Sequence, residues 1–374
     1  MAGHAPLDCV AMRVVFAPDK FAGTLSAAEA AAAMATGWSR ARAGDELLLV
    51  PMADGGEGTI DVVEAVVPGA ERMLAEVADA RGTATKAAWL RLGDGRALVE
   101  AAQACGLSRL APERRNPRWT TSYGVGQLLA AAFGAGAHEV IVGLGGSATV
   151  DGGAGMAIAL GHRLLRGDGN GVKIGGEYLR SLHHIEPVPI PPAPVVVAVD
   201  VTNPLLGPDG AAAVFAPQKG AAPEDVPVLE EALQRLARVA ERDLEGGPWR
   251  DLPGAGAAGG LGFGLAAFCR AQLTSGSAVI ADLVGLEGAL SGAAVLITGE
   301  GSLDAQTSRG KVPAYVAGRA RAHGARVMAV AGRLADGAGS AFDRAVDLGP
   351  DGMDHAADLV AVCTEALAAE IQDG

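Results

Sequence analysis

The sequence is short of several features that would settle a function class by themselves. Its four cysteines, Cys9, Cys105, Cys269 and Cys363, lie far apart and form no CxxC or Cys/His ligand spacing. That excludes a zinc site of the usual pattern and a disulfide framework, and it points to reduced thiols. Basic residues are outnumbered, 30 Lys and Arg against 43 Asp and Glu, for a formal net charge of −13. Such a balance argues against a nucleic-acid or anionic-membrane surface, so an anionic substrate needs a locally basic pocket. No apolar run is long enough to span a bilayer, and the N-terminus lacks the charged flank and apolar core of an export signal. The expected location is the cytoplasm, with neither membrane nor nucleic acid as partner. There is no G-x-x-x-x-G-K-[ST] loop and no Gly-x-Ser-x-Gly elbow. The histidines are scattered: His183-His184 reads as part of a loop, and His138, His162, His323 and His355 are isolated.

What the chain does have is length, apolar periodicity and glycine. A chain of 374 residues exceeds the size at which single cores usually stop growing, so two domains are expected. With 54 Gly and 20 Pro but 49% hydrophobic residues, it reads as loop-rich α/β rather than disordered. Residues 1–11 precede the first strand, Arg13–Ala17, and are expected to be an extension, with Met12 an alternative start. Ser26 and Glu29 form a capping box for an alanine-rich helix, and a second strand follows at Glu46–Val50. From about Glu71 the pattern becomes a meander. Strand–loop–helix alternation returns with Ala293–Thr298, the loop Gly299–Arg309 and a helix from Lys311. The simplest architecture is a discontinuous, doubly wound, Rossmann-like domain, residues 1–70 and 275–374, with a mixed α/β domain, 71–274, inserted and a ligand cleft between them.

Five loops carry polar residues spaced by glycines. Val195–Val199 reads as a buried strand that delivers Asp200 and Asn203 to a turn, before a loop ending in Gln218, Lys219 and Gly220. A carboxylate, an amide and an ammonium at one strand end suit phosphoryl transfer, in which the carboxylate takes a hydroxyl proton and cations neutralise phosphate oxygens. Asp200 is the candidate base, and Lys219 and Lys20 the candidate catalytic cations. Asp19 and Lys20 follow the first strand. Asp54 and Glu57 sit in Pro51–Thr59, where two carboxylates suit substrate hydroxyls or a hydrated Mg²⁺. Gly143–Gly155 has the composition of a phosphate cradle, with Gly145, Gly146, Gly152 and Gly153 offering backbone donors and Ser147 and Thr149 hydroxyls. Glu300 and Asp304 are candidate metal ligands, and Arg309 with Asp19, Asp54, Glu57 and Asn203 a candidate substrate contact. Each loop also has a plain reading as a turn, a helix cap or a salt-bridged surface.

Together the loops are more specific than singly. APDKFAGTLSA (17–27), PMADGGEGT (51–59), NPRWTTSYGVG (116–126), GGSATVDGGAG (145–155), DVTNPLLGPDGAAAVFAPQKGA (200–221), GAGAAGGLGFG (254–264) and GEGSLDAQTSRGKVP (299–313) resemble, in order and along nearly the whole chain, the bacterial type-1 glycerate kinase family. The resemblance implies ATP-dependent phosphorylation of D-glycerate in a two-domain α/β protein with its active site between the domains. It implies mainly 2-phosphoglycerate as product, with the 3-phosphate assumed for some members. The first loop departs from the commonest family pattern: Lys20 stands where Ser is usual and Ala22 where Lys is usual. A kinase for another small hydroxy acid and a non-enzymatic two-lobed binding protein stay open at this point. So does the choice between monomer and homodimer.

Overall fold

A computed structural model describes residues 11–304 and 311–371. In chain order the first elements are β1 Arg13–Phe16, α1 Ala27–Ala41, β2 Glu46–Leu49, α2 Thr59–Val66, β3 Glu71–Ala78, β4 Ala84–Arg91, β5 Ala97–Glu100 and α3 Ala101–Cys105. They are followed by α4 Tyr123–Gly134, β6 Val140–Gly143, α5 Ala154–Ala159, β7 Arg163–Arg166, β8 Leu182–Glu186, β9 Val195–Ala198, α6 Ala211–Phe215 and α7 Asp225–Asp243. The remainder is α8 Ala257–Cys269, β10 Gln272–Thr274, α9 Gly276–Leu283, α10 Leu286–Leu290, β11 Val295–Leu303, α11 Val312–Ala322, β12 Arg326–Leu334, β13 Arg344–Asp347 and α12 Ala356–Ala369. These form two units, 1–53 with 280–374 and 54–279. The sequence places the crossings at 70/71 and 274/275. The first shifts because α2 packs on β4 and β5, where Ile60 and Val63 lose all exposure.

The first unit is a parallel five-stranded sheet in the order β13-β12-β11-β1-β2. Successive side chains on a strand point to opposite faces, and here both faces are covered. Val14 and Phe16 join a cluster with Met34 and Trp38 of α1 and Val360 of α12. Val15 and Ala17 join the other, with Val316 of α11. Since β2 lies on one side of β1 and β11 to β13 on the other, the winding reverses between β1 and β11. In open α/β sheets that is where ligands bind.

α1 begins as its sequence dictates: Glu29 N donates to Ser26 Oγ (3.2 Å) and Ser26 N to Glu29 Oε2 (2.8 Å). Its seam against α12 depends on Gly37, where an added Cβ would lie 2.0 Å from Ala361 O. Gly37→Val is therefore expected to separate the two helices and cost several kcal/mol, on the order of a severe overpacking. A melting temperature within a degree or two of wild type would contradict this account of the seam.

The second unit has a six-stranded sheet, β10-β9-β6-β5-β4-β3. β10, β9, β6 and β5 are parallel, while β3, β4 and β5 form the antiparallel meander read from the sequence. A separate β7/β8 pair takes in His183 and His184, which are strand residues rather than loop residues. β11 runs through Glu300 to Leu303 because β12 pairs with it as far as Leu334, so the expected loop from Gly299 is strand for its first five residues. Among the described residues no helix is long and apolar enough to cross a membrane.

Candidate active site

Because β5, β6, β9 and β10 run parallel, their carboxyl ends share one edge of the second unit. Glycine lets the loops there pack backbone on backbone. An added Cβ on Gly143 would meet Gly55 O at 2.2 Å, one on Gly145 would meet Gly56 Cα at 2.4 Å, and one on Gly276 would meet Asp54 O at 2.1 Å. The effect is to bring Asp54 over the ends of β6, β9 and β10. Below it lies a cavity of about 310 Å³ whose polar wall is Asp54, Gly145, Gly146, Ser147, Asp200, Gln218 and Lys219. Phe215, Leu107 and Ala258 are among its apolar residues.

Lys219 is 3% exposed, and Nζ donates to Ser147 Oγ (2.9 Å) and Thr149 O (2.8 Å). Two of its three N–H groups are thus tied to the loop after β6, and an ammonium has three to give. Burial brings its pKa down to about 8, opposed by the charges of Cys105 and Asp151. It stands as a buried, oriented cation on the cavity wall.

Asp200 follows β9. Its Oδ1 accepts from Ser275 Oγ (3.1 Å) and Gly276 N (2.8 Å), and its Oδ2 from Ser277 N (3.1 Å) and Ser277 Oγ (2.5 Å). The carboxylate is therefore held at the N-terminus of α9, where the helix dipole favours negative charge. Burial raises its pKa above the usual carboxylate range; the Ser277 and Ser275 donors oppose this and the nearby Asp54 charge adds to it. Two like charges across one small cavity are a place for a cation or a shared proton.

Two acids behind the wall were not singled out as candidates in the sequence. Asp151 is 1% exposed and accepts from Ser122 N (2.8 Å), Ser122 Oγ (2.9 Å), Gly153 N (3.1 Å) and Gly155 N (3.2 Å). It pins the starts of α4 and α5 together. Burial pushes its pKa up, against these donors. Glu100 is fully buried at the end of β5 and accepts from Gly58 N (3.3 Å) and Ile60 N (3.2 Å), fixing the start of α2. The signal for Asp151 was its place in the GGSATVDGG loop; for Glu100, an acid closing an apolar strand.

The other expected residues are distributed differently. Thr149 is fully buried and contributes its carbonyl to Lys219. Gly152 and Gly153, expected in the phosphate cradle, are not among the cavity-lining residues. The space beside Gly152 is taken by Leu236 and that beside Gly153 by Gly264, so their positive φ serves packing. Glu57 accepts from Ser108 Oγ (2.7 Å). Asn203 donates Nδ2 to Asp209 O (2.8 Å), closing its own turn, and is not on the cavity wall. Asp19, Lys20, Glu300 and Asp304 belong to the first unit, at the carboxyl ends of β1 and β11. There Asp19 N donates to Gly299 O (2.8 Å) and Lys20 N to Asp19 Oδ1 (2.7 Å). Arg309 lies outside the described residues. Cys105, Cys269 and Cys363 are free thiols, and burial pushes Cys105 and Cys269 up to about 12, which suits packing rather than nucleophilic attack. His162 packs on Phe268, ring centroids 5.0 Å apart, as a core histidine.

A buried ammonium, two carboxylates and glycine backbone gather at the ends of parallel strands of an α/β protein, a set that suits phosphoryl transfer. The chain belongs to the glycerate kinase family, whose model matches residues 14–369. It is 42% identical to a glycerate kinase of Halalkalibacterium halodurans, over 89% of each chain. It is 41% identical to the glycerate 2-kinase of Escherichia coli, over 90% of this chain and 89% of that one. A solved structure, a putative glycerate kinase 2 from Salmonella typhimurium LT2, superposes with a TM-score of 0.85 at 40% identity, covering 96% of this chain and 98% of that one.

Proposed function

We propose that the protein transfers the γ-phosphoryl group of ATP to D-glycerate, with Mg²⁺ and with 2-phosphoglycerate as product. The observation that carries this is the pairing of Lys219 and Asp200 on one cavity wall. A short hydroxylated acid needs a cation for its carboxylate and a base for its hydroxyl, and the transferred phosphoryl needs donors around its oxygens. Lys219 serves as the cation, Asp200 orients and deprotonates the hydroxyl, and the backbone of Gly145 and Gly146 with Ser147 faces the phosphoryl. The name of the Escherichia coli relative, glycerate 2-kinase, supports the 2-position.

Among the described residues no three His, Cys, Asp or Glu are grouped as a ready-made metal cage. That fits Mg²⁺, which keeps several waters and takes one or two protein carboxylates with substrate phosphates. Asp54, whose charge bears on Asp200, would hold it in the cavity; Glu300 and Asp304 are a second acidic pair in the first unit. When bound, the ion would neutralise charge on the phosphate oxygens.

Incubation with ATP, Mg²⁺ and D-glycerate, followed by ³¹P and ¹³C NMR, is expected to show phosphate on C2 and one ADP per product. Phosphate on C3 would overturn the regiochemistry. Absence of any ADP while glycerate still binds would overturn the kinase reading.

A further inference from the structure

The cavity of Lys219 and Asp200 lies where β9 and β10 end, and a second cavity of the same unit, about 370 Å³, is lined by residues that precede those strands. Pro187 to Ile190 lead into β9, and Arg270 leads into β10. α8 borders both cavities: Ala257 and Ala258 at its start line the first, Ala267 and Phe268 at its end the second. Among the described residues, the two non-glycine positions with positive φ are Ala258 (54°) and Arg270 (52°), one on each wall. Such backbone is costly and collects at ligand sites. The volume falls within the roughly 300 to 1,000 Å³ of small-molecule pockets.

The charged groups around this second cavity already have partners. Asp243 is held by Arg242 Nε (2.6 Å), His184 Nδ1 (2.9 Å) and Ile185 N (2.8 Å), and Arg270 faces Glu245 at 3.6 Å. An ion finds no unmatched charge there. The rest of the wall is mostly apolar and stiff, with Pro187, Pro189 and Phe268, and Ile190 stands 45% exposed at it.

One buried donor is left over. His162 lines the cavity and is 5% exposed. Its Nδ1 accepts from Val188 N (3.3 Å), and burial pulls its pKa down, so the ring is neutral and carries its proton on Nε2. Among the described residues nothing accepts from that Nε2–H. Buried donors in folded proteins are met by protein, water or ligand, and an alkyl chain lying in the cavity would leave this one unmet.

We propose that this cavity binds a small, uncharged, planar ring compound bearing an acceptor atom, which packs among Pro187, Pro189 and Phe268 and accepts from His162 Nε2. The site is separate from that of Lys219 and Asp200, and it binds whether or not the protein phosphorylates glycerate.

The test is equilibrium binding to the full chain at pH 8 of isoquinoline, a flat uncharged ring with one acceptor nitrogen, and of naphthalene, the same shape without it, both read by NMR. The wild type is expected to bind isoquinoline with a Kd of about 1 mM or tighter, shifting the amide signals of Val188 and Phe268. His162→Leu is expected to raise the Kd for isoquinoline about fivefold and to leave naphthalene within about twofold, a difference that a merely structural histidine would not produce. Ile190→Asp, at an exposed position, is expected to raise the Kd for both rings about fivefold or more, and it carries the test if His162→Leu fails to fold. Saturating D-glycerate should leave both values unchanged. No isoquinoline binding by the wild type, or binding within twofold of wild type in both folded variants, overturns the proposal. So does displacement of isoquinoline by glycerate, which would put the ring in the other cavity. Equal losses of the two rings in His162→Leu overturn the hydrogen bond, and tighter binding of N-methylisoquinolinium than of isoquinoline overturns the uncharged class.

Discussion

Asp200→Asn is expected to lower kcat for glycerate phosphorylation by about 10²- to 10⁴-fold, the range that general-base catalysis supplies. The fold should survive, because the asparagine oxygen still accepts from the start of α9 and the substitution removes a charge that burial disfavours. The sign of the pH dependence follows from the raised pKa of Asp200. Its folded value lies above the unfolded one, so the stability linked to this group is present below about 3.9 and is lost as pH rises through the folded value. At neutral pH the ionised carboxylate costs stability, and Asn does not. Activity runs the other way: turnover needs the ionised form and falls as pH drops through that same raised value. Ser277→Ala removes the 2.5 Å donor to Oδ2 and should move this acid limb upward while kcat at its plateau changes about tenfold or less. Wild-type turnover by Asp200→Asn would take the residue out of the chemistry and leave it as a helix cap.

Lys219→Met should cost about 10²- to 10³-fold in kcat/KM, the scale of truncating one partner of a buried hydrogen-bonded charge pair, here the ammonium that meets glycerate's carboxylate. Here the alkaline limb is informative. Burial brings the ammonium to about 8, so the wild-type rate should fall as pH rises through that value, and the limb should disappear in Lys219→Met. Protein stability moves oppositely: from about 8 to the unfolded value near 10.4 the native state has released a proton that the unfolded chain still holds, and stability rises with pH. The buried charge costs about 3 kcal/mol below that window, which offsets the two hydrogen bonds lost on substitution. The melting temperature should therefore change by a few degrees only, and a large activity loss cannot be put down to unfolding. An unchanged alkaline limb in the variant would assign it to another group.

Much of this arrangement is legible in the chain. Continuous apolar runs such as Val195–Val199 point to the central strands and the Ser26/Glu29 pair to the start of α1, and Asp200, Lys219, Asp54 and the Gly145–Ser147 stretch lie on one cavity. What misled was local chemistry with two equally good uses. Gly152 and Gly153 have the composition of a phosphate loop, but a positive φ beside Leu236 and Gly264 serves helix packing just as well. Asn203 before proline reads as a ligand amide and is the closing bond of a turn. Asp151 and Glu100 were passed over because their distant partners, Ser122 at the start of α4 and the start of α2, are brought to them only by the fold. β11 was cut short because Gly299 and Gly301 look like turn residues; they are strand glycines where a second backbone comes close.

The pairing of β1 with β11 bears on how the protein is made. Thr298 Oγ1 donates to Ala17 O across 281 residues, and β1 pairs in register with β11 at the two ends of that span. An emerging chain cannot close the sheet of its first unit until nearly all the rest has left the ribosome. Residues 54–279 are continuous and leave the ribosome before β11 begins at Val295, and their own ends meet where Gly276 abuts Asp54 O. Once collapsed, that middle portion behaves as a short tether in place of a long one, lowering the entropy cost of bringing the distant termini together. Assembly is therefore expected to proceed from the inside of the sequence outward, which pulsed hydrogen exchange would show as earlier amide protection in 54–279 than in β1 and β11.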